Sequence, residues 1–375
     1  MQKKLIALAV ATLAAGSAFA QSNVTISGYL SSGFASTKIS GGATPAIRAT
    51  NGTETGVIDS RLSRIRFAGS EDLGNGLKAI FQVESRFMSD TADATASLGA
   101  MGVGDTFVGL AGNWGQVRMG RIDTYYADGV LTELIAGTTF QSHATLSLLS
   151  QVDGFGYHGT AGRWNNLIRY DSPRVSGFQG SVAYSSNRAA EDGVANNDGD
   201  DGSSWYASAN YFAGPIYAGV SAMQHRTEGV TDNKSSGWRV YGSYTFPMGV
   251  KVGLNYDHGR FGTGADTWRK RNAWFLPVSY KFGKNTVAGT YGRAGKTKTN
   301  AGTVNSSGAT FYNLSYNYEL SKRTNIGANY TVLKNKDGSA YDLLLGGVVR
   351  GLGQVQATGS GQDVRQIAVS VVHAF

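Results

Sequence analysis

The chain has 375 residues, with 34 Lys and Arg against 26 Asp and Glu for a formal net charge of +8, and it carries 52 glycines, 5 prolines and no cysteine. Without cysteine there are no disulfides or thiolate metal sites, and basic residues spread along the chain argue against a nucleic-acid-binding patch. After the first twenty residues no apolar run approaches the ~18 residues of a spanning helix, so a helical membrane protein is excluded; the glycine content, 11% aromatics and a mean hydropathy of −0.20 describe a turn-rich β protein.

In chain order, Lys3 and Lys4 precede an apolar stretch over residues 5–15 and the small-residue site Ala18-Phe19-Ala20. Residues 1–20 therefore read as a secretory signal peptide. The mature chain, 21–375, keeps 32 basic and 26 acidic residues, a net charge of about +6 once Lys3 and Lys4 are removed.

Period-2 alternation then predicts about sixteen strands, at 23–35, 60–70, 76–88, 103–112, 115–121, 163–171, 177–187, 203–212, 214–225, 235–246, 249–260, 269–281, 284–293, 309–320, 322–335 and 363–375. Tyr312, Leu314, Tyr316, Tyr318 and Leu320 share one face while Asn313, Ser315, Asn317 and Glu319 share the other. Val250, Val252, Leu254 and Tyr256 likewise oppose Lys251, Asn255 and Asp257. Apolar outside with polar inside is the inverse of a soluble barrel and predicts a closed, water-filled transmembrane β-barrel forming one domain. Tight turns such as residues 72–76, 112–115, 214–215 and 247–249 alternate with longer polar connections, the arrangement of short periplasmic turns and long external loops. The acidic stretch 191–201 reads as one such solvated external loop.

Residues 122–162 form the longest connection and mix apolar stretches with Asp123, Asp128, Glu133 and Asp153. Too apolar to be simply solvated, this loop is expected to fold into the lumen and narrow it, with packing outside against another subunit as the alternative. The closing run Ile367, Val369, Val371, His373 and Phe375 alternates like a spanning strand and ends on an aromatic, as a terminal membrane-insertion strand does.

Several segments resemble the general porins of β-proteobacteria. They are residues 60–79, opening Ser60-Arg61-Leu62-Ser63-Arg64-Ile65-Arg66-Phe67-Ala68-Gly69; Trp114-Gly115-Gln116-Val117-Arg118-Met119-Gly120-Arg121; Asn165-Asn166-Leu167-Ile168-Arg169-Tyr170-Asp171-Ser172-Pro173; Leu320-Ser321-Lys322-Arg323-Thr324; and Val371-Val372-His373-Ala374-Phe375. The resemblance spans the mature chain. It implies an all-β, sixteen-stranded homotrimeric barrel in the outer membrane of a Gram-negative bacterium, inserted by the barrel-assembly machinery through its C-terminal strand and surrounded by lipid and lipopolysaccharide. It further implies a third external loop folded into each barrel, facing a basic wall.

Strand parity supplies candidates for that wall. If Ile65 and Phe67 face lipid, Arg64 and Arg66 turn inward; the same reasoning places Lys78, Gln82, Glu84 and Arg86, then Arg118, then Arg163 and Arg169, in the lumen. A cation facing lipid at mid-depth costs about 2–4 kcal/mol, so the parity itself supports the assignment. Arg61 and Arg86, near strand ends, also fit a solvated rim. Loop acids Asp123, Asp128 and Glu133 are expected to oppose these cations across a constriction. One departure is Asp105, where anion-selective members of the family carry an arginine.

Tyr29, Trp205, Trp238, Trp268 and Trp274 are expected in the interfacial aromatic girdles, and Tyr217 and Tyr241 stand as isolated inward aromatics. The five histidines are scattered and no nucleophile or acid pair stands beside a base, so neither an enzyme nor a resident metal or cofactor is expected. The expected function is passive diffusion of small hydrophilic solutes and ions with at most moderate anion preference. The alternatives are a channel specific for an anion such as a carboxylate or phosphate, and a surface-binding barrel whose pore is incidental.

Overall fold

The computed structural model describes residues 23–59, 63–89, 101–133, 145–149, 163–186, 202–227, 233–262, 267–343 and 359–375. The expected signal peptide, Arg61, the acidic stretch 191–201 and loop residues 134–144 and 150–162 lie outside them.

Alternating sequences produce long strands here because each strand presents an apolar face to lipid and hands every backbone group to a neighbour. The wall comprises β1 (Asn23–Gly41), β2 in two segments (Gly52–Ile58 and Ser63–Gly74), β3 (Leu77–Phe87), β4 (Thr106–Gly112), β5 (Gly115–Ile122), β6 (Trp164–Asp171), β7 (Phe178–Ser185) and β8 (Ser203–Ala213). It continues through β9 (Ile216–Thr227), β10 (Asn233–Thr245), β11 (Val250–Gly262), β12 (Trp268–Phe282), β13 (Asn285–Ala294), β14 (Ala309–Glu319), β15 (Thr324–Asn335) and β16 (Gln362–Ala374). All pairings are antiparallel, and β1 meets β16 from Tyr29↔Ala374 to Gly41↔Gln362, closing a sixteen-stranded barrel. Closure removes the sheet edges that lipid would leave unsatisfied.

β1 is long enough to pair with both segments of β2. The lower half of β1 pairs with Ser63–Gly74 and its upper half with Gly52–Ile58. Asp59 bridges the break, accepting from the Ser63 amide at 3.0 Å, the Ser31 hydroxyl at 2.8 Å and the Ser89 amide at 3.0 Å. The sequence expectation ended β1 at 35 because residues 36–41 carry one apolar side chain, Ile39, and residues 52–56 none, so no membrane alternation continues. Beyond the sixteen strands lie a helical turn, α1 (Pro45–Arg48), and a ribbon joining Lys298–Thr299 to Gly302–Thr303, which pairs with the start of β12 at Arg269↔Thr299 and Lys270↔Lys298.

Phe34, Val108, Met119, Val182, Leu254, Leu314 and Ile367 are exposed on the outer face, where lipid covers them. Trp205 and Trp238 are exposed on it too, and parity with Leu276 and Val278 sets Trp268 and Trp274 beside them. Tyr29 is a correction to the girdle expectation: the inward Arg64 lies over its ring at 4.8 Å, so Tyr29 faces the lumen.

The interior is not uniformly polar. One apolar cluster joins Ile122, Tyr125, Trp164, Leu167, Tyr206 and Met223, and another joins Ile39, Phe275, Phe311, Leu333 and Val364 to Leu148, Leu149, Tyr341 and Leu343. Inward aliphatic and aromatic side chains there have partners on connections between strands, which single-strand parity does not reveal.

The barrel is sealed at its last residue. Phe375 accepts from the Gly28 amide and donates its own amide to the Gly28 carbonyl, both at 3.1 Å, and a side chain at Gly28 would strike the Phe375 ring. Two residues earlier, the His373 ring is 2.9 Å from the Thr324 hydroxyl, and Val371 stays on the lipid face. Deleting Phe375 removes both seam bonds, and the yield of heat-modifiable, folded barrel on unboiled gels is expected to fall several-fold. An unchanged yield would assign no insertion role to the terminal aromatic.

Candidate pore constriction

Four carboxylates organise the candidate basic wall. On β3, the buried Glu84 takes Arg86 Nε at 2.7 Å, Arg66 at 2.6 Å and Arg64 at 3.4 Å. Gly104 makes room for it, since a Cβ there would lie 2.3 Å from the carboxylate, and the Gly104 amide donates to the Glu84 carbonyl. On β6, Asp171 holds Arg118 at 2.6 Å and Arg169 at 2.8 Å and accepts the Ser181 hydroxyl. Arg169 also donates to the Asp123 carbonyl at 2.7 Å, tying the start of the long loop to the wall. Arg163 lies between Asp105 at 2.6 Å and Asp123 at 2.9 Å.

Six arginines on this wall thus meet four carboxylates, leaving two positive charges in surplus. Asp105, the departure noted in the sequence, neutralises part of Arg163. Lys78 sits apart, exposed beside the tight turn and opposite Asp72.

Among the three loop acids, Asp123 engages the candidate wall. Asp128 instead accepts the Tyr206 hydroxyl at 2.9 Å, and Glu133 ends a helical turn, α2 (Val130–Glu133), whose Leu131 carbonyl accepts from Lys251 on β11.

That opposite wall holds a second charge cluster, of which sequence parity placed Asp257 inward without assigning it a role. Asp257, fully buried on β11, accepts Arg239 Nε at 3.0 Å, Arg271 at 2.5 Å and the Tyr125 hydroxyl at 2.5 Å. Arg239 donates onward to the Asp128 carbonyl at 2.7 Å, and Arg271 to the Leu148 and Leu149 carbonyls at 3.1 and 2.5 Å. Both described parts of the long loop are thereby bonded to inward side chains of β10, β11 and β12. Asn255 adds a bond to Thr132. The loop approaches so closely that a Cβ at Gly129, whose φ is +80°, would lie 2.1 Å from Asn255 Oδ1. The signal for this cluster was the inward parity of Asp257; its pairing with Arg239 across strands needs the register Arg239↔Asp257.

Two loop carboxyls outside the strands hold their protons more tightly than usual. Burial pushes Asp128 up to about 6 despite the Tyr206 hydroxyl and Arg239. Burial and the neighbouring Asp123 raise Asp105 against the pull of Arg163. Because the folded values lie above the unfolded ones, the associated stability is present below the ordinary carboxyl value of 3.8 and is lost as pH rises through about 6. Acidification from pH 7 to pH 5 is therefore expected to add positive charge to the lumen and shift the zero-current potential toward anions. Asp128→Asn should reduce that shift, and a shift toward cations would contradict it.

A closed sixteen-stranded antiparallel barrel with an apolar belt outside and ion-paired arginines inside defines a membrane channel. Residues 7–338 match the Gram-negative porin family, and the chain belongs to it. Outer membrane porin protein 32 of Delftia acidovorans is 30% identical with full coverage of both chains. Major outer membrane protein P.IB of Neisseria meningitidis serogroup A is 32% identical over 64% of this chain and 65% of its own. The solved anion-selective porin from Comamonas acidovorans matches with a TM-score of 0.73 and 26% identity, covering 95% of this chain and all of that one. The protein is accordingly an outer-membrane porin, a channel and not an enzyme.

Proposed function

We propose that this porin passes small hydrophilic solutes and ions by diffusion with a weak to moderate preference for anions, through a waist set between the arginine wall and the inward loop. The observation that carries the reading is the surplus of two positive charges among the six arginines and four carboxylates on β2, β3, β5, β6 and the connections that flank them. The name of the Comamonas acidovorans structure, an anion-selective porin, agrees with its sign. In a narrow, low-dielectric passage a ring of fixed charge biases ion occupancy, and arginine keeps its charge at any working pH. Arg64, Arg66, Arg86, Arg118, Arg163 and Arg169 line the wall in this reading, and Asp123 faces them from the loop.

Residues 1–20 are removed on export, the barrel assembly machinery reads the terminal strand, and the mature barrels associate as homotrimers, expected as heat-sensitive high-mass bands on unboiled gels. Swelling of liposomes in neutral sugars of increasing size tests the diffusive reading. Rates that fall smoothly with size and do not saturate are expected; saturation with one solute would favour a specific channel.

A further inference from the structure

Tyr217 and Tyr241, isolated in the sequence, are joined in the barrel by a third inward ring. Phe212 on β8 lies directly opposite Tyr217 on β9, and the two rings stack at 5.0 Å with 30° between their planes. Tyr241 on β10 sits diagonally beyond, its ring 5.6 Å from that of Tyr217. It leans across Gly219, where a Cβ would come within 2.5 Å of the Tyr241 ring. Asn210 fixes the lean by accepting the Tyr241 hydroxyl at 2.7 Å.

The row has a direction. Phe212 and Tyr217 flank the short turn at residues 214–215, whereas Tyr241 meets the inward loop, since a Cβ at Gly129 would lie 3.1 Å from Tyr241 Cβ. A line of rings therefore runs from the short-turn rim toward the waist. At the rim, Arg174 in the neighbouring turn between β6 and β7 places its guanidinium 4.0 Å from the centre of the Phe212 ring. Every arginine of the basic wall has a carboxylate partner. Arg174 is exposed, and among the described residues no carboxylate pairs with it. Phe212 and Tyr217 are half-buried, which leaves part of each ring open to the lumen.

An unpaired guanidinium above stacked rings selects for a solute with both a flat apolar face and a planar anion. Rings attract rings in offset or edge arrangements about 4.5–7 Å apart, and a guanidinium forks onto a carboxylate through two parallel N–H groups. A sugar would need hydroxyl partners along the row, but Phe212 offers none and the Tyr241 hydroxyl is committed to Asn210. We propose that Arg174, Phe212 and Tyr217 form a subsite for aromatic carboxylates at the short-turn mouth of the lumen. The subsite rests on the open pore proposed above and adds to it a solute class that free diffusion of hydrophilic solutes does not single out.

The test is single-channel recording of the purified porin in KCl with benzoate added, compared with cyclohexanecarboxylate, benzyl alcohol and glucose. Benzoate is expected to interrupt the current saturably, at a half-blocking concentration roughly tenfold below those of cyclohexanecarboxylate and benzyl alcohol. That concentration should rise about tenfold in Phe212→Leu combined with Tyr217→Leu, and several-fold in Arg174→Gln. Conductance without benzoate should be unchanged by Arg174→Gln. An open channel that benzoate does not block, or blocks no better than cyclohexanecarboxylate, would overturn the subsite and leave the pore standing, as would block that the double substitution does not weaken. Stronger block by glucose than by benzoate would overturn the assignment to an aromatic acid. Absence of any current would overturn the pore and the subsite with it. Should the double variant fold poorly, Arg174→Gln alone, on its exposed turn, must still weaken the benzoate block.

Discussion

Replacing Asp257 with alanine is expected to raise single-channel conductance and make it noisy. The carboxylate is fully buried between Arg239 and Arg271 and also accepts the Tyr125 hydroxyl, so its loss strands two guanidiniums inside the protein. Breaking a buried pair by removing one partner costs about 3–5 kcal/mol, because the remaining charge keeps its desolvation penalty without its attraction. The barrel wall has sixteen strands of backbone pairing to resist that cost. The loop has far less, since its described parts reach β10 to β12 chiefly through Arg239, Arg271, Lys251 and Asn255. The penalty should therefore appear as loop release, with the two arginines turning toward water in the lumen. Single-channel recording with wild-type conductance and noise, on a variant shown to fold, would remove this cluster from the control of the pore.

Substituting Glu84 with glutamine is expected to act on the opposite wall, lowering stability while increasing anion preference. Three arginines converge on this carboxylate, two of them largely buried. With the charge removed they repel one another at close range, and the surplus of fixed positive charge on the wall rises from two to three. Glutamine keeps the shape and one acceptor oxygen, so the loss is electrostatic rather than a cavity. Detergent-resistant barrel should unfold at lower temperature by about 3–5 kcal/mol of lost stability, and the zero-current potential should move toward anions. A move toward cations would mean that ions pass elsewhere than along these arginines.

Most of the barrel could be read from the sequence because alternation reports face directly: in β14, Tyr312, Leu314 and Tyr316 had to share a side, and they do. What failed to show was whatever depends on more than one strand. Residues 36–41 and 52–56 looked like loop because this extension of β1 and β2 carries a single apolar side chain, Ile39, too little to mark a face. Phe275 and Phe311 face inward into an apolar cluster because Leu148 and Tyr341 meet them there, a contact set by connections rather than by strand pattern. Parity offered the arginines of the candidate wall, but their carboxylate partners decide how much charge remains, and those partners come from register. Arg66 and Glu84 lie opposite each other on β2 and β3, whereas Arg163 finds Asp105 from a connection far away in sequence.

The central claim is an open, water-filled pore with a surplus of basic charge at its waist. The most direct test is the zero-current potential of the purified porin in a planar bilayer under a KCl gradient, for wild type and for Arg64→Ala combined with Arg163→Ala. The double substitution removes the two-charge surplus, so wild type should conduct with a preference for chloride and the variant should conduct with little or none. Cation preference in the wild type, or a chloride preference untouched by the double substitution, would contradict the claim.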